Sequence, residues 1–132
     1  MSLNEMHRQR DAESGLVVTR WTDHPSNHLY FTNPGWFDGN RQLLFTSDRS
    51  GKSELAAIDL STGAQRAITQ CAESESVHAF QTAVDAPHNR AFTYIAGRLE
   101  MIDLLTGERA VLFTMPTGWS GIIPNVTADG KQ

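Results

Sequence analysis

Five histidines, His7, His24, His28, His78 and His88, are the side chains of this sequence best suited to hold a metal ion or move a proton near neutral pH. A preformed ligand pair needs a spacing of two or four residues, which His24 and His28 alone meet. Pro25 stands between them and breaks the helix that would align them, so the pair carries no metal expectation. The lone Cys71 rules out a paired-cysteine motif and an intrachain disulfide. No glycine-rich phosphate loop is present, and Ser120 in Gly118-Trp-Ser-Gly121 has its glycines at the wrong spacing for a nucleophile elbow. No catalytic residue and no metal ligand is therefore expected in this chain. What remains is binding chemistry. Arg49, Lys52 and Arg98 can hold an anion, the arginines through two parallel hydrogen bonds to a carboxylate. Trp119 can stack on a sugar ring or pack between sheets, and His28 and His78 can serve a ligand or satisfy neighbouring backbone amides.

These residues are far apart in the chain, so a repeated architecture must gather them. The phrase Ile58-Asp-Leu-Ser-Thr-Gly63 returns as Ile102-Asp-Leu-Leu-Thr-Gly107, 44 residues later. Turn-rich runs at Phe37-Asp-Gly-Asn40, Asp85-Ala-Pro-His88 and Thr127-Ala-Asp-Gly130 mark three units. Each unit reads as four short strands, a to d. The first runs Leu29 to Asn33, Gln42 to Ser47, Leu55 to Asp59 and Gln65 to Thr69. The second runs His78 to Val84, Arg90 to Ile95, Leu99 to Asp103 and Arg109 to Thr114. A period near 44 with this turn density fits a β-propeller blade, and a plain sandwich has no reason to repeat a phrase at fixed spacing.

The expected fold is all-β: four-stranded antiparallel propeller blades in an incomplete ring, about two blades plus flanking strands. Residues 1–13 read as a polar tail and 14–132 as the partial propeller. Within it, 14–22 is an orphan outer strand, 28–70 and 76–114 are blades, and 119–132 starts a further one. A propeller has about 4 to 8 blades, so the chain is expected to be part of a longer protein. Leu44, Ala57, Ile58, Ala91, Phe92 and Ile102, from central strands, are expected to line faces awaiting other blades or further copies, while Trp21, Phe45, Phe92 and Phe113 pack cores. In a propeller the d-to-a and b-to-c loops open on one face around the channel. That places His28, the stretch from Glu75 to His78, and Trp119 at strand entries on one rim, with Arg49, Lys52 and Arg98 in the hairpins beside them; Trp36 falls on the opposite face.

Net charge of −4 and a pI near 5.6 argue against a nucleic-acid partner, and no apolar run reaches transmembrane length, so no membrane partner is expected. The polar start of the sequence and its single cysteine fit a cytoplasmic location.

The run Phe37-Asp-Gly-Asn-Arg-Gln-Leu-Leu-Phe-Thr-Ser-Asp-Arg-Ser-Gly51, with Ile58-Asp-Leu-Ser-Thr-Gly63 and Ala67-Ile-Thr69, resembles the repeat of TolB-like, WD40-like propellers. The order Asp11-Ala-Glu-Ser-Gly15, Val18-Thr-Arg-Trp-Thr22, His28-Leu-Tyr-Phe31 and Met115-Pro-Thr-Gly-Trp-Ser-Gly121 is similar to the N-terminal third of oligogalacturonate lyases. That resemblance implies β-elimination on short galacturonate oligomers during pectin breakdown. The proton alpha to a uronate carboxylate is weakly acidic, so a base must take it while a cation stabilises the charge that builds on the carboxylate. In the family that cation is manganese, held by several His and a Gln of later blades, and none of those residues maps onto this chain. The resemblance thus implies no cofactor here and manganese in the parent enzyme. The partners it implies are an anionic oligogalacturonide for the parent, and the remaining blades or further copies for this segment. The alternative is a non-catalytic TolB-like module that binds proteins; a propeller gating a serine peptidase is a third reading. Sequence beyond Gln132 separates them.

Overall fold

The computed structural model describes residues 3–29 and 33–129. Its strands are β1 (Leu3–Asn4), β2 (His7–Arg10), β3 (Val17–Arg20), β4 (Ser26–His28), β5 (Trp36–Phe37), β6 (Gln42–Ser47), β7 (Glu54–Asp59), β8 (Ala64–Ala67), β9 (Thr82–Asp85), β10 (Arg90–Ile95), β11 (Arg98–Asp103) and β12 (Arg109–Thr114). Among the described residues helix is confined to two three-residue 3-10 turns, Ala79–Gln81 and Ala86–His88, and every strand pairing is antiparallel. The second blade runs β12-β11-β10-β9; the first runs β8-β7-β6, with β4 and β5 sharing the far side of β6 and β1 added outside β8. The partial propeller expected from the repeat is the fold observed.

The recurring phrase is a turn that fixes four backbone groups at once. Asp59 Oδ1 accepts from the N–H groups of Ser61 (2.8 Å) and Thr62 (3.0 Å), and Asp103 Oδ1 accepts from those of Leu105 and Thr106 (both 2.8 Å). Thr62 and Thr106 hydroxyls each accept from the N–H two residues on, at 3.2 Å. Gly63 and Gly107 close the turns onto the Asp59 and Asp103 carbonyls with φ of 76° and 79°, a region open to glycine. A Cβ on Gly107 would sit 2.8 Å from the Ile68 carbonyl of the first blade, and one on Gly63 2.7 Å from Met6 Cβ. The segment around β1 therefore abuts the first blade as the end of the first blade abuts the second.

The main core lies between the blades. Leu44, Leu55, Ala57 and Ile68 of the first meet Ala91, Ile95, Ile102 and Leu104 of the second. A second cluster, Phe45, Ala56 and Ile58, lies on the other face of β6 and β7 and is covered by Trp21. Side-chain alternation decides these assignments, since neighbours along a strand point to opposite faces. Leu44, Ala57, Ile58, Ala91 and Ile102 are at most 1% exposed, so they do not line open faces as expected; of that set Phe92 alone turns toward the uncovered side. Phe113, expected in the core, is 52% exposed.

Four stretches differ from the sequence expectation. Residues 1–13, read as a polar tail, contain two strands: Leu3 pairs with Gln65, and His7–Arg10 pairs with Val17–Arg20. The strand expected at 14–22 is thus one arm of a hairpin. Its partner His-Arg-Gln-Arg is exposed throughout, so it lacks the alternation that betrays a strand. Of the inner strand expected from Leu29 to Asn33, positions 30–32 lie outside the described residues; among the described residues β6 is paired by Ser26–His28 and again by Trp36–Phe37. The inner strand expected from His78 begins only at Thr82, because residues 79–81 coil into a 3-10 turn. Beyond Thr114, where a further blade was expected from 119, the described residues to 129 contain no strand. They cross the open side of the second blade, with Gly121 so close to the Tyr94 ring that a Cβ would fall 2.2 Å from it.

Candidate binding face

Several loops gather at one end of the second blade. Thr82 pairs with Thr93, which brings the entry of β9 to the same end as the Ala96–Gly97 turn. Met115 N–H donates to the Gly97 carbonyl at 2.8 Å, so the exit of β12 joins them. Pro116 to Trp119 is a tight turn closed by the Trp119 N–H on the Pro116 carbonyl at 3.0 Å, with Gly118 at φ 84°. Trp119 leaves it 72% exposed.

The expected binding residues have unequal fates. Arg49 is spent on Glu5, Nη2 to Oε1 at 2.6 Å, a partner supplied by the residues read as a tail. Lys52 Nζ donates to the Cys71 carbonyl at 2.9 Å. His28 is the last residue of β4, opposite Phe45, and its Nδ1 lies 2.6 Å from the Leu29 carbonyl. It sits inside the strand rather than before it. His78 stands at the entry of the second inner strand, exposed, with its Nδ1 accepting from Phe80 N–H at 3.2 Å. Trp119 and His78 occupy the same end of the blade; Arg49 and His28 belong to the first. A groove of about 270 Å3 beside β7 and β8 takes in Arg49 and none of the other five.

Arg98 belongs to an ion network that the sequence reading missed. Glu100 is 1% exposed and accepts from Arg98 Nε (3.0 Å), Arg109 Nε (2.7 Å) and Arg109 Nη2 (3.1 Å). Glu75 bonds Arg98 through Oε1, while its Oε2 takes the Ala72 N–H at 3.0 Å and lies 3.4 Å from Arg109. The Ala72 amide and then the Arg98 guanidinium hold the Glu75 carboxyl down at about 2. Glu75 and Glu100 in turn push the Arg98 guanidinium further up, and Glu100 does the same for Arg109. Two cations and two anions cancel, so Arg98 is committed to holding the 70–78 crossover. The signal in the sequence was the Arg98–Glu100 spacing, which puts both on one strand face, with Arg109 on the neighbouring strand.

The histidines do not converge. His24 pairs with Asp48 at 2.9 Å, His7 with Asp23 at 3.2 Å, and His88 with the buried Asp85 at 2.8 Å. Among the described residues no three His, Cys, Asp or Glu side chains are placed to share a metal ion. The donor set of the described residues does not fit manganese.

No family model and no curated protein sequence matches the chain. Solved structures do. It is similar to an oligogalacturonate lyase in complex with manganese, at 24% identity and TM-score 0.76 over 90% of this chain and 32% of that one. It is similar to the oligogalacturonate lyase of Vibrio parahaemolyticus, at 21% identity and TM-score 0.77 over 92% of this chain and 32% of that one. TolB from Acinetobacter baumannii aligns at 16% identity and TM-score 0.53 over 81% of this chain and 26% of that one. These likenesses establish the β-propeller fold, and the chain spans about a third of the length of the lyases it matches.

Proposed function

We propose that this chain is the N-terminal segment of an oligogalacturonate lyase-like propeller, forming blades of the ring while later blades carry the base and the metal-binding residues. The observation that carries this reading is the alignment of 90% and 92% of the chain onto two such lyases at TM-scores of 0.76 and 0.77, against 0.53 for TolB. The segment's own contribution is scaffolding and substrate contact. Its ion network locks the crossover between blades, and its rim presents Lys52, His78 and Trp119 to the side where the loops gather. The complete parent would act on anionic oligogalacturonides with manganese bound elsewhere in the ring.

Expression of the complete coding region, followed by an ultraviolet assay for the conjugated product of elimination, tests this. A manganese-dependent signal from the complete protein and none from the 132-residue chain is expected. A complete protein whose later blades lack the histidines and glutamine, or which yields no unsaturated product, overturns it in favour of a protein-binding propeller.

A further inference from the structure

We propose that the β2–β3 hairpin is the outer half of a closing blade, and that the free edge of β2 takes up the inner two strands of that blade from a remote part of the same polypeptide, an inference that rests on taking the chain as a segment of a longer propeller. The hairpin turn is a third copy of the phrase that ends the two complete blades: Asp11-Ala-Glu-Ser-Gly15 beside Asp59-Leu-Ser-Thr-Gly63 and Asp103-Leu-Leu-Thr-Gly107. Its bonds are the same. Ser14 N–H donates to Asp11 Oδ2 at 2.7 Å, Gly15 N–H to the Asp11 carbonyl at 2.9 Å and Leu16 N–H to Ser14 Oγ at 3.3 Å, with Gly15 at φ 70°. In the complete blades that turn joins the third strand to the outermost, β7 to β8 and β11 to β12. β2 and β3 therefore hold those two places, and among the described residues no third strand pairs with either.

One donor shows which edge is open. In both complete blades the residue after the Asp turns its N–H inward, Leu60 to the Arg41 carbonyl at 2.9 Å and Leu104 to the Asn89 carbonyl at 2.8 Å, just ahead of β6 and β10. Ala12 is their counterpart. It is exposed, and its N–H has no partner among the described residues. Asp11 N–H meets the Leu16 carbonyl at 2.8 Å, so by alternation Gln9 faces β3, while Arg8 and Arg10 turn their backbone groups to the open edge.

The complete blades also show what fills that edge. Their third strands pair there with a second strand in one register, Gln42 opposite Asp59 and Arg90 opposite Asp103. The chain leading into β2 does not return along it: Leu3 and Asn4 pair with Gln65 and Ala64 of the first blade, and Glu5 bonds Arg49 there. The inner strands must then come from a distant segment, and they turn a marginal two-stranded hairpin into a four-stranded blade. The hairpin's position agrees. Trp21, directly after β3, packs with Ile58 on the first blade, as Ile102, the counterpart of Ile58, packs on the blade before its own.

Hydrogen–deuterium exchange at single-residue resolution in the complete protein tests this. The Arg8, Arg10 and Ala12 amides should exchange at least about tenfold more slowly there than in the 132-residue chain. Proline substitution gives an independent measure, because a strand tolerates proline only where its N–H meets no partner. Arg8→Pro should lower the unfolding midpoint of the complete protein by several degrees and leave that of the 132-residue chain almost unchanged, whereas Gln9→Pro, which breaks the hairpin itself, should lower both. Equal exchange of the three amides in the two proteins, or an Arg8→Pro complete protein as stable as wild type, would overturn the proposal. So would protection that grows with the concentration of the 132-residue chain, which assigns the edge to a second copy. Lyase activity is a separate readout: fast exchange along β2 in an active complete protein sinks the closing blade alone, and slow exchange in an inactive one sinks the lyase reading alone.

Discussion

Replacing Glu100 by Gln removes one charge from between two guanidinium groups at nearly constant volume. The wild-type carboxylate is 1% exposed and accepts three charged hydrogen bonds of 2.7 to 3.1 Å. The amide keeps one acceptor and turns its NH2 toward a cation, so a buried pair loses one partner while the other stays. Such a loss costs about 3–5 kcal/mol in a dry interior. Here the Arg98 and Arg109 side chains are 31% and 23% exposed and both retain Glu75, which places the expected cost at about 2–3 kcal/mol. Urea unfolding followed by far-ultraviolet circular dichroism should show the midpoint fall by about 1–2 M at unchanged slope. Adding Arg109→Leu to Glu100→Gln should recover part of the loss, because the double variant restores the charge balance, Arg98 against Glu75. A Glu100→Gln variant within about 0.5 kcal/mol of wild type would refute the view that this network locks the crossover.

Gly107→Ala should cost about 1–3 kcal/mol in thermal unfolding, since φ is 79° and the new Cβ meets the Ile68 carbonyl at 2.8 Å. Gly97→Ala, at φ 75° with nothing within 4 Å, should cost less, and equal losses would show that the contact is irrelevant. Glu75 has a lowered folded-state pKa, so the stability it contributes is present above the unfolded value near 4.5 and is lost as pH falls toward about 2. Acid unfolding curves of wild type and Glu75→Gln should accordingly converge over that window, and a constant gap below pH 2 would count against it. Light scattering of the 132-residue chain at micromolar concentration should detect association through the outer strand of the second blade, where Val111, Leu112 and Phe113 are each at least half exposed; a monodisperse 14.6 kDa particle would disprove it.

The elements that recur were the elements that could be read. Gln42–Ser47, Arg90–Ile95 and Arg109–Thr114 have the bounds expected of them, because the Asp-Leu-x-Thr-Gly turn and the a-to-b turn bracket them with side-chain chemistry local to the sequence. The inner strand of the second blade starts later than expected because Ala79–Gln81 coils into a 3-10 turn that has no composition signature. β1 and β2 are not legible in the sequence because a polar edge strand owes its existence to hydrogen bonds with a partner strand, at Gln65 for β1 and at Val18 for β2, and not to a buried face. For the rim, His78 and Trp119 stand at the same end of the second blade. The sequence could not reveal that Arg49 and Arg98 are occupied, as Glu5 is 44 residues from the first and Glu75 is 23 from the second.

The near-equivalence of Gly63 and Gly107 makes the molecule lopsided in time as well as in space. Met6 and Asn4 shield the outer turn of the first blade as Ile68 shields that of the second, so the first blade behaves as an interior repeat with a cap already in place. β12 has no such cover: residues 110–114 are all exposed. In the 132-residue chain taken alone, where cohesion comes from nearest neighbours, amide exchange is expected to begin at β12, then β11 and β10, with β6 and β7 last. The segment that looked like a tail acts as a ratchet pawl, holding one end of the stack shut while the other breathes.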